Sequence, residues 1–128
     1  MTTFRAAVDA RDLAAVEAML ADDVVFRSPV AHRPYPGKAI TAAILRAVIE
    51  VFADFRYVRE LRDGADHVLV FEAKVDGLDV TGADFLRYDR DGKIAELMVM
   101  VRPLRAAEAL ARRMAARFDQ IQAAAAEG

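Results

Sequence analysis

Three residues carry side chains that could do chemistry where the sequence puts them: Asp84, His32 and Ser28. Asp84 is the sharpest case. Residues 78–88 alternate in character, which places Val80, Gly82, Asp84, Leu86 and Tyr88 on one face of a strand. A carboxylate on a mostly apolar face needs partners or must stay protonated. It can then serve as an acid, a hydrogen-bond donor or a ligand anchor. The competing reading is an ion pair with Arg27, Arg56 or Arg102, since structural pairs perturb carboxylates too. His32 lies in a proline-rich stretch and could be a general base near neutral pH. The alternative is a solvated loop histidine. Ser28 cannot act as a base near neutrality without an activating partner. It also lacks the Gly-x-Ser-x-Gly setting of a hydrolase elbow. His67, beside Asp66, reads as solvated turn chemistry.

Other chemistries are excluded or unsupported. There is no cysteine, so disulfides, thiolate nucleophiles and thiolate metal sites are ruled out. The two histidines lie far apart in sequence, and no metal site is expected. Asp91-Gly92-Lys93 is a turn and no glycine-rich phosphate cradle occurs, so no cofactor is expected. A net charge of −2 argues against nucleic acid as a partner. No segment is apolar enough to span a membrane. Residues 1–20 mix acids and arginines among apolar residues, unlike a signal peptide. A cytoplasmic protein is the expectation.

The elements that must position these residues are legible from periodicity. The length of 128 residues and 55% hydrophobic content fit one domain, residues 1–128, with a self-sufficient core. Phe4, Ala7 and Val8 recur at helical spacing after Thr2-Thr3. Asp12 is a natural cap for a second helix facing inward with Leu13, Val16, Met19 and Leu20. Asp22-Asp23 should end it, and residues 24–28 read as a strand. Four prolines and glycines over 29–37 predict a loop. Ile40, Ile44, Val48, Val51 and Phe52 mark a third helix. Strands follow over 56–62, 68–75, 78–88 and 93–102, joined by turns at 63–66, Asp76-Gly77 and Asp91-Gly92. Gly82 suggests a bulge. Pro103 suits the first position of one long last helix with Leu104, Ala107, Leu110, Met114, Phe118 and Ile121 inward. Residues 123–128 should fray. Helices, a four-strand antiparallel meander and a final helix make an α+β domain.

Several runs resemble a known family in order and spacing. They are Asp12-Leu13, Leu20-Ala21-Asp22-Asp23-Val24, Ser28-Pro29-Val30 followed by Tyr35-Pro36-Gly37-Lys38, and the stretch Asp84-Phe85-Leu86-Arg87-Tyr88-Asp89-Arg90-Asp91-Gly92-Lys93-Ile94. Together they resemble the nuclear transport factor 2-like, or SnoaL-like, superfamily that includes ketosteroid isomerase. Val99-Met100-Val101-Arg102-Pro103-Leu104 resembles a bacterial subgroup of it. The resemblance covers nearly the whole chain. It implies a cystatin-like cone: a curved, mainly antiparallel sheet wrapped on helices, with an apolar cavity at the open end. It also implies a homodimer through the outer face of the sheet.

Residue by residue, the resemblance puts Ser28 where the isomerases carry their aspartate base and Phe4 near their tyrosine. Asp84 matches their protonated aspartic acid. Ordinary steroid isomerase activity is therefore not expected. His32 becomes the candidate replacement base at the cavity mouth, with Asp84 the acid or donor. Val24, Phe26, Ser28, Tyr35, Leu86, Met98 and Met100 are the candidate ligand contacts. Two functions stay open. One is a pocket protein for a small apolar molecule, an isomerase, lyase or cyclase working by proton transfer. The other is a non-catalytic ligand-binding or dimeric interaction module.

Overall fold

Thr3 and Asp12 open the first two helices of the computed structural model, which describes residues 2–127. The Thr3 side chain accepts from the Ala6 N–H, and Asp12 accepts from the Ala15 N–H. Each satisfies a donor that the helix start leaves free. Helix α1 (Phe4–Asp9) buries Phe4, Ala7 and Val8, while α2 (Leu13–Met19) buries Val16. Leu20 does not extend α2 as its apolar pattern suggests. Its backbone is already extended, and it begins β1 (Leu20–Arg27). Pairing with Ile94 on the last strand prevails over local helical preference.

A six-stranded sheet follows. Strand β2 (Tyr35–Pro36) is a two-residue strand within the expected loop, antiparallel to β1. After α3 (Lys38–Val51) the chain forms β3 (Ala53–Asp63), β4 (Asp66–Val75), β5 (Leu78–Tyr88) and β6 (Ile94–Arg102). The sheet order is β2-β1-β6-β5-β4-β3, and the β1–β6 pair is parallel. The expected meander is thus present, joined to the N-terminal strand along β6. Asp76 and Gly77 both have positive φ, as a tight primed hairpin turn demands.

Gly82 is not at a bulge. Its register is unbroken between Phe71 and Val101. A Cβ there would collide with the Phe71 ring and stand 2.8 Å from the Met100 carbonyl oxygen. The missing side chain leaves the space that the far end of the Phe71 ring occupies. The bulges lie elsewhere, notably in β3 between Tyr57 and Arg59 and between Ala53 and Arg56.

The last helix is two helices. Pro103 caps α4 (Leu104–Ala116) rather than opening it, and the chain bends at Arg117 into α5 (Phe118–Glu127). Arg117 pairs with Glu50 of α3, and Ile121 is buried, so α5 is held against α3. Residues 123–127, expected to fray, continue that helix. The core lies between the helices and the inner face of the sheet, with Leu69, Val75, Ile94 and Leu97 essentially solvent-free. Among the described residues no helix is long and apolar enough to cross a membrane.

Candidate functional site

A cavity of about 600 Å³ lies between the helices and the inner face of the sheet. Its walls come from α1, α3, α4, α5, the 28–31 loop and the strands around Asp84. Most of the lining is apolar, and eight of the lining residues are Phe or Tyr. Four rings are packed together. Phe55 stacks on Phe71 at 4.9 Å and meets Tyr57 edge-on at 5.0 Å, and Phe52 lies 5.4 Å from Phe71. A second series, Phe26, Tyr35 and Phe118, joins β1, β2 and α5 at 6.3 and 6.4 Å.

Asp84 belongs to this cavity and is only 8% exposed. Its partner is neither Arg27, which pairs with Glu96, nor Arg56, which pairs with Glu72. Arg102 lies opposite Thr81 on β5, not opposite Asp84. Instead the Tyr57 hydroxyl donates to Asp84 Oδ2 at 2.9 Å. Burial penalises the ionised carboxyl and pushes it up to about 7; the Tyr57 hydrogen bond opposes that rise. The same burial, reinforced by Asp84, pushes the Tyr57 hydroxyl far above its ordinary value. Tyr57 therefore remains a donor while Asp84 can exist in either state near neutral pH.

Tyr57 is not among the residues that the sequence reading singles out. Its signal was there: Phe55 and Tyr57 alternate in the strand after α3. The bulge after Tyr57 was not legible, and it makes Val58 the extra, exposed residue.

The other candidate residues divide. Phe26, Ser28 and Tyr35 line the cavity with Asp84. Val24 and Leu86 are core residues beside it and take no part in the lining. Met98 and Met100 point to the opposite face. The register Asp84–Val99 puts Val99 toward the cavity, so its two neighbours must face outward. Met100 is accordingly 52% exposed. His32 is exposed on its loop and is not part of the lining. Ser28 Oγ accepts from the N–H groups of Val30 and Ala31 at 3.1 and 3.2 Å, so it shapes the rim loop.

His67 is not solvated; it is 3% exposed. Nε2 lies 2.7 Å from Glu60 Oε2 and Nδ1 lies 2.9 Å from the Tyr88 hydroxyl. Arg5 of α1 also bonds Glu60 and approaches the Tyr57 ring at 6.0 Å. This group ties α1 to three strands beside the cavity.

Residues 1–97 match the model of the SnoaL-like domain family. A steroid delta-isomerase from Pseudomonas aeruginosa is 42% identical with a TM-score of 0.85, covering 92% of this chain and 88% of that one. A protein with a cystatin-like fold from Silicibacter pomeroyi is 33% identical, again at TM-score 0.85, covering 94% and 90%. A nuclear transport factor 2-like protein from Cytophaga hutchinsonii is 19% identical, covering 78% and 84% at TM-score 0.61, and shares the fold. No curated protein matches the chain. The cone of helices on a curved sheet and the match over residues 1–97 agree: the chain belongs to the SnoaL-like domain family.

Proposed function

We propose that residues 1–128 act as one domain that binds a small apolar molecule in the cavity and moves a proton on it through Asp84. One observation carries this: a buried carboxyl, titrating near 7 and steadied by a tyrosine hydroxyl, on the wall of an otherwise apolar cavity. A group with a pKa near the working pH is suited to both giving and taking a proton. The likeness to a steroid delta-isomerase supports proton transfer as the reaction type. This chain would do it with a different set of groups. The resemblance puts Ser28 at the base position of the isomerases, and its hydroxyl is engaged with the rim loop. His32 is not at the cavity. Asp84 alone would take the proton and return it.

The same observation about Ser28 favours a second reading, binding without turnover. A second copy docking on the outer face of the sheet fits either reading. Leu61 and Met100 are 55% and 52% exposed there, beside the half-buried Val70 and Phe85.

The test is a thermal-shift screen of enones, aromatic ketones, amines and fatty-acid fragments, followed by incorporation of solvent deuterium into any ligand found. A ligand at about one hundred times its Kd should add roughly 2.7 kcal/mol of stability. Deuterium incorporation that Asp84→Asn abolishes supports catalysis. Binding without incorporation supports the second reading. No shift from any apolar compound overturns the pocket itself.

A further inference from the structure

We propose that the ligand of this cavity carries a basic nitrogen and binds as a cation, an apolar amine whose N–H donates to Asp84. The inference rests on the pocket reading above and deepens it. Both charged residues of the lining are acids, Asp84 and Asp119; no lysine, arginine or histidine contributes to it. Asp84 is buried, and its one protein partner is a neutral hydroxyl. No buried polar side-chain atom among the described residues lacks a partner, and Oδ1 makes no protein hydrogen bond. That oxygen therefore opens on the cavity as an acceptor.

A buried carboxylate without a counter-charge is costly, and a ligand cation would offset that cost. The aromatic faces add to the effect, because rings attract cations and do so most when water is excluded. Phe55, Tyr57 and Phe71 line the same cavity as Asp84. An anionic ligand meets the opposite conditions throughout. Burial favours the neutral carboxyl; the Tyr57 hydroxyl, donating to Oδ2, works against that, and a ligand cation would add to the same side.

The groups that can titrate around Asp84 are few. Tyr57 faces it from β3, Asp119 lies in α5, and Tyr35 lies in β2. From α1, Arg5 approaches Tyr57 and is bonded to Glu60 and Asp9. The lining residues of α3, α4, β4 and β6 carry no ionisable group.

Three matched probes test the idea by calorimetry: 4-phenylcyclohexylamine, 4-phenylcyclohexanone and 4-phenylcyclohexanecarboxylate. At about pH 8.5 the amine should bind at least roughly tenfold more tightly than the ketone, and the carboxylate should not bind. Amine affinity should rise about tenfold from about pH 5.5 to 8.5 as Asp84 ionises. Asp84→Asn, shown folded by circular dichroism, should lose that gain and keep ketone binding. Asp119→Asn should change amine affinity less than Asp84→Asn. Equal or tighter ketone binding at the higher pH overturns the nitrogen and leaves the pocket standing. Tight carboxylate binding overturns it equally. Failure of all three probes, together with an empty apolar screen, overturns both.

Discussion

The Tyr57 hydroxyl reaches Asp84 across an intervening strand. Tyr57 is on β3 and Asp84 on β5, and β4 runs between them, with Phe71 opposite Tyr57 and Leu69 opposite Asp84. Adjacent strands are spaced by roughly 4.8 Å, so a flat sheet would hold these two backbones about twice that far apart. A 2.9 Å hydrogen bond between their side chains needs the tyrosine to lie over β4 on the concave face. The pair is thus made by a long side chain reaching over a strand rather than by two neighbouring strands.

Stability should fall with rising pH because of Asp84, and Asp84→Asn should remove that dependence. The carboxyl ionises at an ordinary value of 3.8 when unfolded and near 7 when folded. Between these values the native state holds a proton that the unfolded state has released, so folding weakens as pH climbs and levels off above about 7. The full effect is about 4 kcal/mol. Urea unfolding of both proteins across this range gives the difference directly. Parallel profiles would contradict the assignment.

Tyr57→Phe should drive the Asp84 carboxyl further up, since the hydroxyl is what opposes burial. Carbon NMR titration of the labelled aspartate reads the shift. At high pH the variant should also lose about 1–3 kcal/mol, the usual cost of leaving a buried acceptor unpaired. A carboxyl that titrates as before would mean the bond contributes nothing in solution.

Gly82→Ala should destabilise by about 1–3 kcal/mol, as overpacking does. The new methyl group falls on the Phe71 ring and against the Met100 carbonyl. The ring must move into the cavity, so any ligand that fills it should bind more weakly. Calorimetric affinity and a melting curve measured on the same sample check both parts.

The His67 group should contribute to folding. His67→Ala should cost about 1–3 kcal/mol by removing a buried ring and its hydrogen bonds to Glu60 and Tyr88, Arg5 alone then holding Glu60. The hydrogen bond from His67, and then that from Arg5, hold the Glu60 carboxyl below its ordinary 4.5. A lowered carboxyl stabilises above its unfolded value and loses that contribution as pH falls through the folded one. Glu60→Gln should therefore lower Tm at neutral pH and have little effect in acid. An equal loss at both pH values would refute this.

Met100→Glu places a charge on the outer face of the sheet, on the strand next to Ala83. Sedimentation velocity should show the second copy released, with the melting temperature of the protomer little changed. A protein that is already a monomer at high concentration would remove the dimer from the proposal.

Much of the fold was readable because turns and alternation are local. Asp76-Gly77 set a hairpin, and the residues of 78–88 announced the face that carries Asp84. Position along the chain did not reveal what lies across it. His67 looked like a turn residue because its partners Glu60 and Tyr88 come from flanking strands. Residue type alone suggests the cavity for Met98 and Met100, but the register of β6 against β5 decides the face. The pairing of Tyr57 with Asp84 crosses a strand next to a bulge, which a periodic pattern does not display. The bend at Arg117 is held by Glu50 of α3, a partner that no helical periodicity could name.

The cavity draws on two stretches of chain with different work. Tyr57, Asp84 and the ring cluster lie within residues 1–97, whereas Met114, Phe118 and Ile121 come from the two helices that follow. The carboxyl wall and the helical cover are therefore built by separate stretches of one chain. If the proposed pocket function holds, changes confined to 111–121 would reshape the cavity while Tyr57 and Asp84 keep their setting, so the last two helices are where ligand fit could be tuned.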